Sequence, residues 1–126
     1  MNISGTDSGT SETVIATTPT MSAAPAGGAG YSIRGVVSFT GNASASTATI
    51  KVRQGANTTS GTAVYTSPAI TVAAAAVVSI PFGVVDQSAA GTGLSNYSVT
   101  LTASGAPGNS GAITGYVEVM PAAEND

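Results

Sequence analysis

The chain has 126 residues, with three cations, six carboxylates, no histidine, no cysteine and no tryptophan, for a formal net charge of −3 at pH 7. That inventory excludes a disulfide framework and thiolate or imidazole metal sites, leaves its serines short of a base, and offers no basic field to nucleic acid. A domain of this size buries about two-thirds of the surface its unfolded chain exposes, so a core forms without staples.

Met1 to Thr10 is rich in Ser, Thr, Gly and Asp without an apolar period, and residues 1–10 read as a flexible arm. The start carries neither a basic nor an apolar signal region, so retention inside the producing cell is expected. A first strand is predicted over Glu12 to Thr18. The Pro19 to Gly30 connection is Pro-, Gly- and Ala-rich; connections longer than about 12 residues either carry function or cross to another sheet, and crossing is expected here.

From Tyr31 the alternation is plain: Tyr31, Ile33, Val37 and Phe39 point one way and Ser32, Arg34, Ser38 and Thr40 the other, with Gly35 interrupting the apolar row. Ala48, Ile50 and Val52 form the next apolar row, opposite Thr47, Thr49, Lys51 and Arg53. Short strands are predicted at Thr62 to Thr66 and Ala69 to Ala73, with Pro68 marking a break or an edge. The alanines at 73–76 are too few to nucleate a helix and read as a connection.

Ala69 to Val85 is uncharged, but it falls short of the ~20 residues of a spanning helix and contains Pro81 and Gly83, so strands explain it and no membrane partner is expected. Val78, Ile80 and Phe82 resume a period of two; Asp86 to Gly93 reads as a polar loop; Tyr97, Val99, Leu101 and Ala103 form another row. The last strand is predicted over Ala112 to Met120. A hairpin centred on Pro107 would set Tyr97 opposite Val117, Val99 opposite Gly115 and Leu101 opposite Ile113, with Ser98 beside Tyr116 and Asn96 beside Glu118 on the other face. These elements predict an all-β, antiparallel β-sandwich of jelly-roll type with about eight short strands, spanning residues 11–121 and followed by a tail at 122–126.

Chemistry has few candidates. Among the six acids only Asp86 and Glu118 stand in ordered segments with a chance of meeting, and Asp86 at a strand end reads as the cap of its own turn. Gly27-Gly28-Ala29-Gly30 precedes a strand, whereas phosphate-cradling loops follow one, so it reads as a connector. The threonine rows recur without a fixed period and reflect β-propensity. No catalytic, cofactor-binding or metal-binding residue is expected.

Two surface features remain. Arg34, Lys51 and Arg53, the only cations, fall on the non-core faces of two consecutive strands. If those strands pair, Arg34 lies close to Arg53 and the cluster suits an acidic partner or an intersubunit carboxylate; a solvated face is the plainer reading, and the cluster dissolves if the loop carries the chain to a second sheet. Val36, Tyr116 and Met120 point outward, as expected where a strand's second face meets a neighbouring subunit.

The runs Ile50-Lys51-Val52-Arg53-Gln54-Gly55, Pro68-Ala69-Ile70-Thr71-Val72, Ser79-Ile80-Pro81-Phe82 and Tyr97-Ser98-Val99-Thr100-Leu101 resemble small jelly-roll structural proteins of tailed bacteriophages, which look like tumour-necrosis-factor-type domains. The resemblance implies a non-enzymatic virion protein, a capsid decoration or cement protein that binds the major capsid protein as a homotrimer after assembly in the host cytoplasm, without cofactor. It also admits a receptor- or carbohydrate-binding module of a phage tail, which the scarcity of outward aromatics disfavours.

Overall fold

The structure is a computed structural model that describes residues 2–5, 11–21, 30–41, 45–89, 94, 96–104 and 109–121. Among these, the strands are β1 (Asn2–Gly5), β2 (Thr13–Thr17), β3 (Tyr31–Gly41), β4 (Ser46–Gln54), β5 (Ala63–Thr66), β6 (Ile70–Val72), β7 (Val77–Asp86), β8 (Tyr97–Ser104) and β9 (Asn109–Pro121), with one 3-10 turn at Gln87–Ala89. Sheet A has the order β1-β9-β3-β7, and sheet B the order β2-β8-β4-β5 with β6 also on β4. Pairing is antiparallel throughout. Most connections change sheet, and the first strand lies beside the last, which is the jelly-roll arrangement.

Each strand's period of two supplies one inward row. Ile33, Val37 and Phe39 of β3, Ile80 and Phe82 of β7, and Ile113 and Val117 of β9 face Ile50 and Val52 of β4 and Val99 and Leu101 of β8, all buried. Gly35 stands in the inward row of β3 because a Cβ there would collide with the Tyr116 carbonyl and press on the Phe82 ring. The Pro19 to Gly30 connection carries the chain from β2 in sheet B to β3 in sheet A, as expected from its length.

β5 and β6 share one edge of sheet B, broken at Pro68. Ser67, buried at the break, keeps β4 satisfied: its N–H donates to the Ile50 carbonyl at 2.9 Å, and its Oγ accepts from the Ile50 N–H at 2.9 Å. The uncharged stretch Ala69 to Val85 is spent on β6, a turn and β7.

Three expectations are corrected. Asn2–Gly5 form a strand rather than part of an arm, because Ile3 inserts into the core at 2% exposure while the backbone pairs with Ile113–Tyr116. Residues 6–10 and 122–126 lie outside the described residues. The hairpin centred on Pro107 does not form: β8 and β9 belong to different sheets, and their apolar rows meet face to face across the core. Finally, β3 and β4 do not pair, so Arg34 and Arg53 occupy different sheets.

Candidate interaction surface

The two outer faces of the sandwich differ. On sheet B, Glu12 reaches over β8 to the cations of β4. Arg53 donates from Nε to Glu12 Oε2 at 2.6 Å, from Nη2 to Glu12 Oε1 at 2.9 Å, and from Nη1 to the Gly61 carbonyl at 2.7 Å. Lys51 Nζ stands 4.0 Å from Glu12 Oε1. The Arg53 guanidinium holds the Glu12 carboxyl below the usual carboxylate range, and the same hydrogen bonds push Arg53 up. The 55–61 loop folds onto the same face: Ser98 Oγ donates to the Gly55 carbonyl at 2.8 Å and accepts from the Thr58 N–H at 3.2 Å. Ser98 and Thr100, which alternation would place outside, are therefore both fully buried.

Among the described residues, no loop folds over the outer side of sheet A. The registers of β9, β3 and β7 align side chains in rows: Met120 with Ser32 and Val85, Glu118 with Arg34 and Gly83, and Tyr116 with Val36 and Pro81. Val77 lies beyond, opposite Thr40. The exposed large hydrophobic residues among the described ones are Val77, Val85, Tyr116 and Met120, at 79%, 51%, 45% and 41% exposure, and all four stand on this face. Between the apolar rows Arg34 Nε donates to Glu118 Oε2 at 3.0 Å.

Of the residues singled out from sequence, Arg34, Val36, Tyr116 and Met120 are thus brought together on sheet A, while Lys51 and Arg53 are engaged on sheet B by Glu12. Val77, Pro81 and Val85 complete the surface. They were legible in principle, since the inward parity of Ile80 and Phe82 sends every odd-numbered residue of β7 outward.

Asp86 and Glu118 sit on opposite faces of sheet A, so they form no two-carboxylate site. Asp86 is buried between the sheets, where its Oδ2 accepts from Tyr97 Oη at 2.7 Å and Gln54 Nε2 at 2.8 Å, and its Oδ1 from Ser88 Oγ at 2.5 Å and Ser88 N–H at 3.1 Å. Burial alone would push this carboxyl up, yet the donors of Ser88, Gln54 and Tyr97 together hold it below the usual carboxylate range. Burial, together with the bond to Asp86, pushes the Tyr97 hydroxyl up.

No family model matches the sequence, and no curated protein matches it. Solved structures do share the fold. An infectious bursal disease virus structure, Gx strain, aligns with a TM-score of 0.58 at 16% identity, over 94% of this chain and 29% of that one. The VP2 subviral particle of the same virus aligns with a TM-score of 0.56 at 15% identity, over 94% of this chain and 29% of that one. A sugar-binding EclA C-terminal domain aligns more weakly, with a TM-score of 0.48 at 10% identity, over 95% of this chain and 77% of that one. The chain spans less than a third of the length of the viral proteins it matches, and at these identities the likeness is one of fold: a jelly-roll β-sandwich shared with proteins of virus particles.

Proposed function

We propose that this chain is a non-enzymatic structural protein of a virus particle, acting as a capsid decoration or cement protein of the tailed-bacteriophage kind. The observation that carries the reading is the segregation of Val77, Val85, Tyr116 and Met120 onto one face of sheet A, opposite a sheet whose outer face is closed by its own loop and ion pairs. Apolar rows interleaved with polar pairs such as Arg34–Glu118 and Ser38–Ser79 suit a face that another protein covers in use. Val36, Tyr116 and Met120 contact neighbouring copies in a homotrimer, and the trimer binds the major capsid protein, multiplying weak contacts by effective concentration. The fold shared with proteins of viral particles supports a place in the virion; assembly in the host cytoplasm is part of the same proposal.

The test is rebinding. Purified protein added to capsids stripped of it restores their resistance to heat, and Tyr116→Lys with Met120→Lys abolishes the effect while the melting temperature of the free protein stays within a few degrees. Binding to host polysaccharide without binding to capsids would overturn the assignment in favour of a receptor-binding module.

A further inference from the structure

The row that crosses the outer face of sheet A at Glu118, Arg34 and Gly83 combines a charge pair with a gap. Gly83 is exposed, and its surroundings do not call for glycine. A Cβ there would meet only the Arg34 Cβ at 3.7 Å and the Ile33 carbonyl at 3.8 Å, both ordinary contacts. A β-branched residue would suit this open strand position better; a glycine inside a strand often marks a place where another group approaches closely.

Arg34, beside the gap, is the cation with donors to spare. Arg53 spends three nitrogens on Glu12 and Gly61, whereas Arg34, with 63% of its side chain exposed, gives Glu118 only its Nε. Glu118 accepts on Oε2 and keeps Oε1 open. A surface that covers this face removes both groups from water, so it must bring a carboxylate to the terminal nitrogens of Arg34. Among the described carboxylates, Asp86 is buried with its own donors and Glu12 holds Arg53 and Lys51, so the one that a second copy can offer is Glu118.

We infer that copies pack head-to-tail about an axis that runs with the strands, the β9 side of one copy over the β7 side of the next, so that Glu118 of the neighbouring copy enters the gap above Gly83 and takes the terminal nitrogens of Arg34. The rows on either side agree. An axis along the strands keeps every row at its height, so the same step sets Tyr116 of the neighbouring copy against Pro81, and Met120 of the neighbouring copy against Val85, apolar on apolar in both. A two-fold axis that put Glu118 over Gly83 would lay Arg34 on its own symmetry mate, because β3 lies between β9 and β7. The head-to-tail step joins unlike groups and closes into a ring, in which each guanidinium links its own Glu118 to the next. This contact rests on the homotrimer proposed above, which sets the number of copies at three.

Sedimentation equilibrium of the full chain compares the wild type with Gly83→Val, Arg34→Gln, Arg34→Glu, Glu118→Arg and the exchange of Arg34→Glu with Glu118→Arg; melting of the dilute, dissociated chains is the fold control. Gly83→Val fills space that is open in the free chain, so it is expected to keep or raise the melting temperature while trimer formation weakens at least about tenfold. Arg34→Gln and the two single reversals are expected to weaken it similarly with the dilute melting unchanged, and the exchange to restore it. Trimers that form equally well with Gly83→Val and with Arg34→Gln would overturn this contact and leave the trimer standing. A wild type that stays monomeric, or stops at a dimer, would overturn the trimer and the contact together.

Discussion

The hydroxyl of Tyr97 donates to Asp86 Oδ2 at 2.7 Å across the space between the two sheets, while Tyr31 stands edge-on to it at 6.0 Å with its own buried hydroxyl unpartnered among the described residues. Two tyrosines in one corner of the core thus play unequal parts. Tyr97→Phe leaves a buried carboxylate one donor short and is expected to cost about 1–3 kcal/mol. Tyr31→Phe removes an unpartnered hydroxyl and keeps the ring, so it is expected to be neutral or slightly stabilising. Urea unfolding of the two variants checks the contrast, and equal losses would contradict it.

Acid should weaken the fold through Asp86. Its pKa is lowered in the folded state, so the unfolded chain takes up the proton first; the stabilisation is complete above the ordinary carboxylate value of about 4 and disappears as pH falls through the folded value. Glu12, also lowered, adds to the same limb. Unfolding midpoints between about pH 2 and 6 are expected to drop steeply for the wild type and less so for Asp86→Asn, which is also weaker at neutral pH.

Leu101→Asp is expected to abolish folding. Leu101 has no exposed surface and pairs with Ile50 and Thr13 in the middle of sheet B, so the new carboxylate would stand unpaired in the core, at a cost of about 4 kcal/mol or more. A soluble variant with native circular dichroism would contradict the burial.

Pro81 guards an edge. β7 is the outer strand of sheet A, and its ladder to β3 runs through Pro81 opposite Val36 without a register shift, so the nitrogen that lacks a hydrogen faces away from β3. A strand docking on β7 would find no donor at its middle. Pro81→Thr is expected to keep the fold and to raise concentration-dependent aggregation, followed by light scattering; unchanged solubility would remove this role.

The inward rows of β3, β4 and β8 were readable because each strand buries one face and the period of two shows it. The β8–β9 pairing was misread for a related reason. Parity says only that Leu101 and Ile113 both point inward, and that holds whether the strands lie side by side or face one another across the core. β1 has four residues and one apolar anchor, Ile3, which is too short for any period to register. The partners that define the surface lie far apart in sequence: Glu118 is 84 residues from Arg34, and Arg53 is 41 from Glu12. The burial of Ser98 comes from the 55–61 loop and not from anything in β8 itself.

β9, the C-terminal strand, lies between β1 and β3 in sheet A. During synthesis β1 therefore has no strand to pair with until β9, more than a hundred residues later, has been made, and sheet A closes only once β9 is available. The pairings that close sheet A join distant parts of the chain, so a chain cut short before β9 is expected to yield no half-built sandwich able to occupy a neighbour's place in an assembly.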